Sequence, residues 1–189
     1  KIDAVAEVEN PNDDYVAFFD YTFKLSGTTT PLAKAEVLAK SRALVASLGF
    51  SDVTGAIGAN LQIKNLRWQR ISAHEVPEAK LWQDSRINFF ISSTPFENPI
   101  TTPELKSNRL AFNLKNESAY GYKRPRFYVG MYFQGALVGV MQVETEDFRS
   151  LETKEIDLRN FTPNLLVQNI EIFPLIDVYD QTAYLPPDR

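Results

Sequence analysis

The chain has no cysteine, which excludes disulfides, thiolate metal sites and thiol nucleophiles together. It has a single histidine, His74, set in a polar stretch beside Glu75. No serine stands in a Gly-x-Ser-x-Gly elbow, so a Ser–His triad has no footing in the sequence. No apolar run approaches the ~20 residues that a membrane-spanning helix needs. An excess of one charge is also missing: 20 basic and 24 acidic residues are interspersed, for a net charge of −4. Without a basic stripe to displace counterions from phosphate, a nucleic-acid partner is not expected. Glycine is scarce, at 8 in 189 residues, and Gly55-Ala56-Ile57-Gly58 lacks the lysine and helix that a phosphate loop requires. No cofactor is expected.

What the chain does contain, it states twice, about 105 residues apart, a period near the size of one small β-sandwich. Asn10-Pro11-Asn12 follows the alternating run Ile2–Val8. Asn116-Glu117-Ser118 follows Leu110–Leu114 in the same way. An aromatic strand ending in glycine comes next, Tyr21–Gly27 in one copy and Val129–Gly135 in the other. Each copy then closes on a matching phrase, Leu61–Trp68 and Leu165–Ile172. Duplicated β-rich units are the natural reading, and aromatic enrichment agrees with strands.

Along the chain, period-two alternation dominates. Pro31–Phe50 is rich in Ala, Leu and Lys and reads as helix by propensity alone. Its counterpart, Thr153–Arg159, alternates apolar and charged residues, so strands are expected over Glu36–Ala39 and Ala43–Leu48. Loops are expected over Gly49–Ala59 and Pro95–Pro103. Gln134-Gly135 reads as a tight hairpin with glycine at positive φ. The polar segment Ser72–Asp84 reads as a linker. The organisation expected is all-β, two tandem antiparallel immunoglobulin-like sandwiches: residues 1–80, 81–180, and an extended, mobile tail over 181–189. Copy two has a strand, Arg86–Ser92, ahead of its Asn116 phrase, whereas copy one opens directly on Ile2. The expectation is that copy one lacks its first strand, supplied in the full protein from upstream of Lys1, with a sheet edge exposed meanwhile.

Candidate sites are sparse. Asn12, Asp13 and Asp14, with Asn10, offer oxygens of the kind calcium takes, but without EF-hand spacing they fit a plain Asx turn better. The acids Glu144, Glu146, Asp147, Glu152 and Glu155 fit a solvated face better than a catalytic carboxylate pair. Lys123, Arg124 and Arg126 form a short basic patch suited to a partner contact. Trp68, on an alternating strand, is expected in the core, while Trp82 has no such pattern and is a second candidate contact.

With these residues in view, the chain resembles the tandem FxLYD-type, or late-embryogenesis-abundant-like, β-sandwich modules of bacterial envelope proteins. The matching phrases are Val5–Asn12 with Phe19–Leu25, and Leu114–Tyr120 with Tyr128–Gly139. The resemblance implies a non-enzymatic, extracellular or cell-surface protein, anchored to the membrane only by an amino-terminal segment outside this chain. It transfers no catalytic residues. A structural or adhesive spacer that meets a protein partner, or copies of itself, by strand addition at a sheet edge is therefore the leading expectation. The alternative is a module holding a small apolar or glycan ligand at the seam near Trp82.

Overall fold

The structure is a computed structural model and describes residues 2–50, 58–93, 100–102, 105–160 and 165–186. Of the loops expected over 49–59 and 95–103, residues 49–50 and 100–102 are strand instead, paired with neighbouring strands, while 51–57, 95–99 and 103, like the last three residues of the expected tail, lie outside the described residues. The chain is all-β, built of small antiparallel sheets, and divides into two compact units, Lys1–Gln83 and Asp84–Arg189.

Unit 1 contains β1 (Ile2–Asn10), β2 (Tyr15–Leu25), β3 (Thr28–Thr29), β4 (Ala33–Val37), β5 (Ser41–Phe50) and β6 (Asn60–Arg70), followed by α1 (Ala79–Asp84). β1 pairs with β5, while β2 pairs with β3 and β4 on one edge and β6 on the other. Within Pro31–Phe50 the chain forms two strands, Ala33–Val37 in place of the expected 36–39 and Ser41–Phe50 around the expected 43–48, and the helical alternative is overridden because these strands have sheet partners and core to bury: Val37, Leu44 and Val45 are in the core. Ala4, Val45 and Val37 pack with Ala17, Phe19, Tyr21, Phe23 and Leu25 of β2. The Tyr21 hydroxyl donates across this core to the Ala46 carbonyl at 2.9 Å, which lets a polar ring tip be buried without loss.

Unit 2 contains β7 (Phe89–Ser93), β8 (Ile100–Thr102), β9 (Leu105–Asn116), β10 (Arg126–Phe133), β11 (Ala136–Glu144), β12 (Thr153–Asn160) and β13 (Asn169–Pro174). The pairings of unit 1 recur. β9 pairs with β12 as β1 does with β5, and β10 lies between β11 and β13 as β2 lies between β4 and β6. Unit 2 then adds β7, and the short β8, on β9. The β10–β11 connection is the expected hairpin, with Gln134 and Gly135 at φ 50° and 78°. This backbone twist matches that of the flanking strands.

Two further expectations are corrected. Trp68 is not a core residue: it lies on β6 opposite Ala17, on the face that turns toward the core, yet is 46 % exposed. Its cross-strand neighbour Ala17 is small and leaves the larger indole half open. The chain after residue 180 is not simply an extended tail. Gln181–Ala183 forms a 3₁₀ turn capped by Asp180, the Leu185 N–H donates to the Gly121 carbonyl (2.8 Å), and the Tyr184 hydroxyl donates to the Val178 carbonyl (2.6 Å). Backbone and ring contacts of this kind hold the segment against unit 2 in spite of its Pro content.

Candidate functional site

The Asn10 and Asn116 turns are one device used twice. Both side chains are buried, at 1 % and 0 % exposure. Asn10 Nδ2 donates to the Tyr15, Val37 and Leu38 carbonyls at 2.7, 3.1 and 3.0 Å, and its Oδ1 accepts the Asn12 N–H at 3.0 Å. Asn116 Nδ2 donates to Tyr120 and Arg149 carbonyls at 2.7 and 2.9 Å, and its Oδ1 accepts the Ser118 N–H at 3.0 Å. The amide therefore stitches a turn to the neighbouring strand connection, a structural task. Asp13 forms an exposed ion pair with Lys40 at 3.3 Å. Among the described residues no three or more His, Asp or Glu side chains converge as a cation would require. His74 sits exposed in the turn between β6 and α1.

The basic patch lies in unit 2, beside the docked segment. A groove of about 650 Å³ is lined by Lys123, Arg124 and Arg126, and equally by Glu146, Asp147, Asp177 and Asp180. Its charges are largely met from within. Lys123 Nζ donates to the Thr182 carbonyl at 2.9 Å, Arg124 lies 3.8 Å from Glu146, and Arg126 stands opposite Glu144 in the β10–β11 register. Hydrogen bonds from the Thr182 side chain and backbone hold the Asp180 carboxyl below the usual range. Walls of mixed sign give little net pull on an anion at physiological salt.

Next to it, Arg86 stacks over the Tyr120 ring at 4.4 Å, and Tyr184 packs against both Tyr120 and Tyr122 with ring centres 5.6 and 5.3 Å apart. The Tyr122 hydroxyl donates to the Arg86 carbonyl. Burial, and then the neighbouring Tyr184, push the Tyr122 hydroxyl well above its ordinary value, and burial lifts Tyr184 to about 12. Neither is a base at neutral pH. Trp82, the other candidate contact, is half-buried on α1 in unit 1.

The surface that the sequence did not flag is on unit 1. Ile63, Leu66 and Trp68 of β6 are 47 %, 48 % and 46 % exposed. Ile63 stands opposite Tyr21 and Trp68 opposite Ala17, both core residues, so these two belong to the inner face of their sheet. Tyr15, which begins β2, is 38 % exposed. On the facing sheet Ala6 and Val8 are only partly buried, and β1 pairs with β5 alone among the described residues. The sequence did hold one clue. Ile63-Lys64-Asn65-Leu66 breaks the alternation, and Asn65 takes φ 50° at an irregularity in the β2–β6 register, so the apolar residues on either side cannot be placed by counting alone. Comparison with protein-family models, curated proteins and solved structures finds no match to this chain.

Proposed function

We propose that this chain is a structural or adhesive interaction module of the cell envelope: two tandem immunoglobulin-like sandwiches that space and present a contact surface, with no catalytic task. Two observations carry the interaction role: the half-exposed apolar residues Ile63, Leu66 and Trp68 on β6, and, on the other sheet of the unit, a strand, β1, with an unpaired edge among the described residues. Apolar side chains clustered in this way mark contact sites, and a free strand edge offers main-chain donors and acceptors to an incoming strand. The envelope setting, with attachment through an anchor outside this chain, draws its support from the family resemblance of the two repeat phrases.

A second reading, a small apolar or glycan ligand, is favoured by one feature of unit 2: a groove of about 630 Å³ where Arg86, Tyr120 and Tyr184 meet, with aromatic faces and a guanidinium in reach of a ring-shaped ligand.

Treatment of intact cells with a membrane-impermeant amine cross-linker tests the leading proposal. The chain is expected in adducts of defined mass without lysis. A chain that is modified only after lysis contradicts the setting, and one that is modified but never linked contradicts the interaction role.

A further inference from the structure

Unit 2 shows what closes this sandwich, because its frame can be laid on that of unit 1 residue by residue. The Ile71 N–H donates to the Asp14 carbonyl at 2.8 Å, and the Leu175 N–H to the Arg126 carbonyl at 2.7 Å. This equivalence places Tyr15 with Phe127, and the pair Ala17–Trp68 with Val129–Ile172. The shared Asn turns place Asn10 with Asn116, and therefore Val8 with Leu114 and Ala6 with Phe112. In unit 2, β7 runs antiparallel along β9 with Phe89 opposite Asn116 and Ile91 opposite Leu114. Phe89 crosses to the other sheet, its ring 4.9 Å from Phe127. Phe112, Leu114 and Phe127 are all buried there. Their counterparts Ala6, Val8 and Tyr15 are each partly open in unit 1.

We infer that the edge of β1 that is unpaired among the described residues is a strand acceptor, and that its occupant is an extended segment of a partner polypeptide running antiparallel to β1, with alternating apolar and basic residues. This deepens the interaction role proposed above and rests on it. The apolar half of the pattern follows from β7: a ring opposite Asn10 covers Tyr15 and Trp68, and a branched side chain opposite Val8 continues the core. The basic half follows from a reversal of charge between the units. On β9 the outward residues include Arg109 and Lys115; at the equivalent positions β1 carries Asp3 and Glu9, with Glu7 between them. From the paired side, Arg42 of β5 engages Glu7 and the Gly49 N–H donates to Asp3, each at 2.7 Å, so the row keeps a net acidic rim toward an incoming strand, with Glu9 at the position that Lys115 holds in unit 2. The same rim argues against a second copy pairing β1 with β1, since the symmetric antiparallel registers that centre on this strand bring acids toward acids.

The probe is a peptide of residues 86–93 of this chain carrying Phe90→Lys, which sets Phe89 opposite Asn10, a lysine opposite Glu9 and Ile91 opposite Val8. It is titrated into the full chain with Trp82→Phe, so that Trp68 is the sole tryptophan. Saturable one-to-one binding with a blue shift of Trp68 emission is expected, and a peptide with Phe90→Asp should bind about fivefold more weakly. A chain with Glu7→Lys and Glu9→Lys should reverse that preference, a readout that a folding defect does not mimic. An unchanged emission, or an equal response to a peptide of scrambled order, overturns the assignment. A chain that is already dimeric with blue-shifted Trp68 before any peptide is added makes a second copy the occupant and also overturns it. Failure here is separable from failure of the wider role: cross-linking on cells without peptide binding removes only the β1 slot, and peptide binding without cross-linking removes only the setting.

Discussion

In unit 2 the Phe89 ring sits among Tyr122, Phe127 and Phe148, with centres 5.8, 4.9 and 5.7 Å away, and closes the sandwich from the side of β9. Unit 1 has the same pairings but keeps its aromatic weight along β2, where Phe19, Tyr21 and Phe23 meet edge-on at 6.3 and 5.9 Å. Its β1 side is left to alanine and valine. The shared frame therefore depends on the turn and the central strand more than on the closing strand. A unit that concentrates its burial on β2 can leave an edge open for another use.

The largest effects should come from what the units share. Asn10→Ala strands three carbonyls and Asn116→Ala two, at wholly or partly buried positions, and each is expected to cost about 3 kcal/mol of stability, read from denaturant melts. A loss in one unit only would break the equivalence. Phe89→Ala should convert unit 2 toward the open state of unit 1, at about 2–3 kcal/mol, with new dye-accessible apolar surface near Phe127. A loss below about 0.5 kcal/mol would mean that β7 does not close the core.

Alkaline titration separates the units through the docked segment of unit 2. Burial raises Tyr184 from its ordinary value near 10 to about 12 in the folded chain. The raised folded value stabilises fully below pH 10 and is lost as pH rises through about 12, because the unfolded chain ionises first. Thermal melts should therefore fall across that window, and Tyr184→Phe should flatten the fall. The smallest expected effect is that of Trp68→Ala, under about 1 kcal/mol, where a core tryptophan would cost about 3–5 kcal/mol.

Much of the frame was legible in the sequence because sheets bury side chains with period two. The Asn turns, the β10–β11 hairpin and the strand character of Ser41–Phe50 follow from alternation and turn chemistry in paired copies. Trp68 was misplaced for a physical reason. Alternation says which face a residue takes but not whether another strand covers that face. The docking of Tyr184 and Leu185 was hidden because their partners, Val178 and Tyr122 for Tyr184 and Gly121 for Leu185, are contacts that no local pattern announces.

Residue-resolved hydrogen exchange on β1 and β9, with and without the strand peptide, reports whether the β1 edge is open. Fast exchange is expected at alternate amides of β1, slow exchange over 113–116 of β9 where β7 pairs, and protection of β1 once peptide is added. If β1 amides exchange as slowly as those of β9 in the free chain, the edge is already covered and the claim is wrong.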